Sequence, residues 1–161
     1  MDQVVLKPPQ RLQVVDYGSA PAVFLAGSID QGAAVDWQAR LTERLFAEYD
    51  EIHIFNPRRD DWDDTWESRL HNPQFKEQVE WELDHLERAD VIVMYFDPKG
   101  KAPITLLELG LNAHRGNIVI YCPAEYWRCG NVEVIAERYR LNLLYDYDEF
   151  VDCLLDEIDQ A

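Results

Sequence analysis

Cysteine and glycine are both scarce in this 161-residue chain, and each scarcity closes off a class of chemistry. The three cysteines, Cys122, Cys129 and Cys153, are odd in number and show no CxxC spacing. That excludes a disulfide framework and a thiolate zinc site, and it reads as free thiols in a reducing compartment. The seven glycines form no GxGxxG fingerprint, no Walker A loop and no GxSxG elbow. His53, His71, His85 and His114 lack the HExxH arrangement and any other ligand spacing, so neither a metal nor a cofactor is expected. Long apolar runs are missing as well. The longest strand-like stretches, such as Val91 to Phe96, fall far short of the roughly 20 residues that a membrane-spanning helix needs. The opening MDQVVLKPPQRLQVV lacks the charged-then-apolar order of a signal peptide. A cytoplasmic location and no membrane partner are the expectations.

Positive charge is the third thing in short supply. Fifteen Lys and Arg stand against 31 Asp and Glu, a formal charge of −16. A surface this acidic repels polyanions, which argues against a nucleic acid polymer or an anionic membrane as partner. One phosphate is still acceptable, because a local Arg or a helix N-terminus can hold it. Much of the acid falls at the C-terminus, from Asp146 to Asp159, where it reads as a solvated helix face that aids solubility.

What is present is an ordinary globular core, 47% hydrophobic, in a chain the size of one domain. The whole of 1–161 is expected to be that domain, with 1–20 as an N-terminal extension. Apolar strands are expected at 22–27, 52–55, 90–96, 117–122 and 141–145. Helices are expected at about 34–49, 73–88, 105–115, 131–139 and 147–159, and residues 58–73 read as a long loop. Strands alternating with helices imply an α/β fold, a flavodoxin-like three-layer sandwich around a five-stranded parallel sheet. Ligands of such sheets bind at the carboxyl ends of the strands.

Four groups of residues near those strand ends could carry chemistry. On the helix after the long loop, Phe75, Val79, Leu83 and Leu86 project as an apolar stripe, and Glu82 falls within it. Glu80 and Asp84 project toward water. A carboxylate on a buried stripe has its pKa raised by desolvation, which is how a general acid is made. The bland alternative is a buried ion pair with Arg58, Arg59 or Arg138. Glu108, in ITLLELGLNAH, lies early in its helix, where the dipole favours an ionised, nucleophilic carboxylate. Its alternative is an exposed acid beside Asn112 and Arg115. Gly27-Ser28 is either the start of a phosphate-binding turn or a plain tight turn. The loop NPRRDDWDDTW either stacks a base on Trp62 and hydrogen-bonds it through Asp60 or Asp61, or is an acidic surface loop with its own salt bridges.

Taken together, VFLAGSID (23–30), NPRRDDWD (56–63), WELDHLERADVIVMYFDP (81–98), ITLLELGLNAH (104–114) and CPAEYWRCGNVEV (122–134) resemble the nucleoside 2-deoxyribosyltransferase-like family. The resemblance implies that Glu108, the glutamate of the ELG motif, attacks the anomeric carbon and forms a covalent sugar ester. It implies that Glu82, eight residues before Asp90, lies near the base and helps protonate it, where the family usually has Asp. It gives Gly27 and Ser28 a 5′-phosphate contact in members that hydrolyse nucleotides. It also implies a sugar site completed by a neighbouring subunit, with Asn131 or Glu133 in that role, and hence a homodimer or larger homo-oligomer. Two departures stand out. Phe24 lies at or beside a place where the family often has Tyr, and Ala102 stands where it often has Asp or Ser. The implied activity is cleavage or exchange of the N-glycosidic bond of a nucleoside or nucleotide substrate. A nucleoside 5′-monophosphate N-glycosidase and a catalytically silent nucleotide-binding module are the alternatives.

Overall fold

The computed structural model describes residues 2–11, 18–29 and 35–161. Its elements run β1 (Gln3–Leu6), β2 (Ala22–Gly27), α1 (Trp37–Glu48), β3 (Ile52–Phe55), α2 (Pro73–Arg88), β4 (Val91–Tyr95), α3 (Pro103–Asn112), β5 (Ile118–Tyr121), α4 (Cys129–Tyr139), β6 (Asn142–Leu144) and α5 (Tyr147–Asp159). The class is the expected one, a parallel sheet surrounded by helices. The sheet, however, has six strands rather than five, in the order β1-β3-β2-β4-β5-β6. The additional strand comes from the segment read as an N-terminal extension. QVVL is too short to show a period, and it becomes a strand through its parallel register with β3, from Gln3 opposite Ile52 to Leu6 opposite Phe55. The expected start of the first helix at residue 34 lies outside the described residues.

The chain divides into two compact units. The first holds Met1–Phe24 and Trp37–Ala89, with β1, the first half of β2, α1, β3 and α2. Its core is built from Val23, Phe24, Ile52, Ile54 and Phe55 on the strands and Trp37, Leu41, Leu45, Trp81 and Leu86 on the helices. Side chains stitch β1's segment to this unit: Gln3 Nε2 donates to the carbonyls of Phe46 and Tyr49, and Trp81 Nε1 donates to the carbonyl of Gln10. Asn72 starts α2, its side-chain oxygen accepting from the N–H groups of Gln74 and Phe75, with Pro73 preset for the first helical position.

The second unit holds Leu25–Asp36 and Asp90–Ala161. Here β4 pairs with β5, and β5 with β6, all parallel. The core is Val91 to Met94 and Ile118 to Ile120, covered by Leu109, Val132, Phe150, Leu154 and Ile158. Asp146 caps α5 by accepting from Glu149 N–H, and Asp148 and Glu149 in the first turn suit the positive end of the helix dipole. The acidic C-terminal helix is thus a capped amphipathic helix with its apolar side inward.

Candidate active site

On α2 the inward line is Gln78, Trp81, His85 and Leu86, which corrects the projected stripe. Leu83 is 41% exposed, whereas Phe75 and Val79 are half-buried. The rotation follows from Trp81, whose ring buries completely, stacks on His85 and contacts Phe24. Glu82 sits beside that line, partly accessible at its surface but with its carboxyl enclosed. Burial pushes its pKa up to about 7, opposed by a hydrogen bond from Gln78. Gln78 Nε2 donates to Glu82 Oε1 at 2.7 Å and to the carbonyl of Pro57 at 3.0 Å. Arg58 Nε donates to Gln38, and Arg59 pairs with Asp61 and Glu77. Glu80 and Asp84 face outward, paired with Lys76 and Arg11.

The loop after β3 spends its charges on itself and on its surroundings in this unit. Lys7 Nζ lies 2.9 Å from Asp60, and Arg59 Nε lies 2.7 Å from Asp61, which holds the Asp61 carboxyl below its usual range. Asp63 accepts from Thr65. Trp62 meets Trp66 edge-on, and the Arg59 guanidinium lies over Trp66. Asp60 and Asp61 are exposed surface partners, as the salt-bridged alternative for this loop describes.

In the second unit, α3 presents Thr105, Glu108, Leu109 and Asn112 inward, and Ile104, Leu107 and Leu111 outward. Glu108 is 8% exposed, so the exposed alternative does not describe it. Asn112 Nδ2 donates to the Glu108 carbonyl at 2.9 Å, securing the backbone beneath the carboxyl. The helix starts at Pro103, two residues earlier than expected, behind Ala102 in the left-handed region. Gly27 ends β2, and Ser28 follows it, nearly fully buried. Ser28 N–H donates to the Tyr95 carbonyl, and Ser28 Oγ accepts from Asp97 N–H at 3.0 Å, so this serine braces the turn after β4. Asn131 and Glu133 are exposed near the start of α4. Tyr145 donates its hydroxyl to Glu133, and that bond raises the phenol pKa to about 12. Among the described residues no cluster of His, Cys, Asp and Glu is fit to hold a metal ion, and no helix is long and apolar enough to cross a membrane.

Phe24, Asp60, Asp61 and Glu82 therefore belong to the first unit, and Gly27, Ser28, Glu108, Asn131 and Glu133 to the second. Phe24 is buried against Trp81. Gln78, Gln38 and Asn56 escaped the sequence reading. Gln78 had a signal, since it precedes Glu82 by four residues and so shares its helical face.

Residues 20–126 match the family described as nucleoside 2-deoxyribosyltransferase like. The chain belongs to that family. The matched residues include Glu82, Glu108 and the Gly27-Ser28 turn, whereas Asn131 and Glu133 lie beyond them. The fold of this chain is similar to that of a conserved protein from Enterococcus faecalis V583. It is 14% identical, with a TM-score of 0.61, over 88% of this chain and 99% of that one. At that identity the likeness speaks for the fold alone. Among curated proteins no relative matches the sequence.

Proposed function

We propose that this protein cleaves or exchanges the N-glycosidic bond of nucleosides by double displacement. Glu108 is the nucleophile and Glu82 the acid–base group. In the first step the Glu108 carboxylate attacks C1′. The C1′–N bond breaks with its electron pair going to the base, and Glu82 gives the departing base a proton. In the second step a second base, or water, attacks C1′ and releases Glu108, and Glu82 recovers a proton from the attacking group.

The observation that carries this reading is the enclosed Glu82 carboxyl with a pKa of about 7. A group half protonated at neutral pH can both give and take a proton, as the two steps require. The inward position of Glu108 and the family relationship support the nucleophile's role. The reading includes a homodimer or larger assembly, in which Asn131 or Glu133 reaches a second copy's sugar site. Light scattering that gives a monomer at micromolar concentration, with full activity, would remove that part.

The test is turnover of a panel of nucleosides and nucleoside monophosphates, with and without an acceptor base. Protein quenched during turnover is then examined by mass spectrometry. A sugar adduct on the peptide carrying Glu108 is expected. No turnover across the panel, or an adduct elsewhere, overturns the reading.

A further inference from the structure

Gln78 is buried on α2, and the reaction as written makes no use of it. Its amide nitrogen lies 3.0 Å from the Pro57 carbonyl and 2.7 Å from Glu82 Oε1, so both N–H bonds have acceptors. Its own carbonyl oxygen is buried with no partner. An amide that leaves its oxygen unpaired in a protein interior asks for a reason, since each such group is costly. Turning the amide over does not help. Its oxygen would then face the Pro57 carbonyl, which has no proton to give, so Pro57 decides the orientation.

The Pro57 carbonyl is itself held in place. Asn56 Oδ1 accepts from Arg58 N–H at 3.0 Å, and Arg58 Nε donates to Gln38 Oε1 at 3.2 Å. The backbone from Asn56 to Arg58 is thus braced through α1, and Gln78 hangs from it. Glu82 is the last member of the chain and its one carboxyl.

We propose that Gln78 is a positioning residue for Glu82: its N–H fixes Oε1 as the accepting oxygen, so the transferable proton is carried on Oε2. The reason is elementary. In a neutral carboxyl the oxygen that accepts an N–H is the carbonyl oxygen, and the other oxygen bears the hydrogen. In the anion the same N–H stabilises the charge, which offsets part of the burial penalty and keeps the proton transferable near neutral pH. Of the other charged groups, Glu80 pairs with Lys76, Asp84 with Arg11 and Glu77 with Arg59, and Arg58 Nε donates to Gln38. The catalytic meaning of the device rests on the proposed role of Glu82, but the device itself is a property of the free protein.

The experiment is a carbon-13 titration of the glutamate carboxyls in the full chain, with the Glu82 signal identified by its loss in Glu82→Gln. In the natural protein the Gln78 side-chain amide signals should move with the same midpoint as the Glu82 carboxyl. Gln78→Met keeps the length and removes the donor, so the Glu82 midpoint should rise by about one pH unit. An amide signal that ignores the titration, or a midpoint that stays or falls in a folded Gln78→Met, overturns the proposal. If Gln78→Met does not fold, the co-titration in the natural protein decides alone. On a substrate that the natural protein turns over, Gln78→Met should lower kcat about tenfold with little change in KM and move the pH profile upward. A titration that behaves as expected in a protein that cleaves no nucleoside would sink the reaction and leave the hydrogen-bond device standing.

Discussion

The indole of Trp81 lies flat on the imidazole of His85, with ring centroids 3.9 Å apart and planes within 21°. Phe55 meets the same imidazole edge-on from β3. His85 Nδ1 is 2.7 Å from the Trp81 carbonyl, so Nδ1 carries the hydrogen and donates it, while Nε2 is buried with no partner for a second proton. Burial holds the His85 pKa below its ordinary value of 6.5, against the Trp81 hydrogen bond, and the Arg11 and Arg88 charges lower it further. The unfolded chain takes up a proton near pH 6.5 that the folded chain refuses. This contribution to stability is therefore present above that pH and is lost as pH falls through it. His85→Phe cannot bind the proton. Urea denaturation should give the variant a flatter loss of stability on acidification than the natural protein, and equal slopes would contradict the assignment.

Glu82 works in the opposite direction. Its pKa rises on folding from 4.5 to about 7, so the folded chain keeps a proton that the unfolded chain has released. Stability is fullest below pH 4.5 on this account and falls as pH rises through about 7. The gap corresponds to about 3 kcal/mol once both states are ionised. Glu82→Gln keeps the oxygen that accepts from Gln78 and never ionises. The variant should gain up to about 3 kcal/mol over the natural protein at alkaline pH and much less under acid conditions, where Glu82 is itself neutral. A constant difference across pH would show that Glu82 is not the titrating group.

Two backbone positions with φ in the left-handed region make a matched pair. Ala102, at φ 47, precedes α3 without a side-chain cap, whereas Gly116, at φ 73, caps the 3-10 turn Ala113–Arg115 that follows that helix. A Cβ at Gly116 would meet nothing within 4 Å, so only backbone strain opposes one there. Gly116→Ala should destabilise by about 1–2 kcal/mol, and Ala102→Gly should stabilise by roughly 0.5–1 kcal/mol, the gain being trimmed by glycine's freedom in the unfolded chain. Thermal denaturation of the two variants checks both signs.

The strand–helix alternation was plain in the sequence because the central strands are unbroken apolar runs, as strands buried on both faces must be. β1 was not, because QVVL is four residues long and owes its state to pairing with β3 rather than to any period of its own. Glu82 could be told from Glu80 and Asp84 because 3.6-residue spacing separates their faces. Leu83 was misplaced by the same projection. The Trp81–His85 stack sets the inward line of α2 and leaves Leu83 exposed. The tie from Gln78 to Pro57 spans 21 residues of sequence, and no local pattern encodes it. Nor does composition reveal that Asp60 and Asp61 are taken up by Lys7 and Arg59.

The sharpest expectation concerns Glu108. Inward on α3 with its backbone carbonyl tied by Asn112, its carboxyl is held by the helix rather than by a loop, which suits a nucleophile that must not wander. Glu108→Gln preserves the shape of that side chain and removes the attacking charge, so the sugar ester cannot form. The neutral amide can still hydrogen-bond a sugar hydroxyl, leaving ground-state binding nearly intact. The loss should therefore fall on kcat, on the order of a thousandfold, with KM nearly unchanged. Glu82→Gln should discriminate among substrates instead. Nucleosides whose base leaves poorly without a proton should lose most, and those with a good leaving base should lose little. Steady-state kinetics of both variants on a poor and a good leaving base separate the two roles. Full activity in Glu108→Gln, or equal losses on both substrates in Glu82→Gln, would mean that the two carboxyls do not divide the reaction between nucleophile and acid.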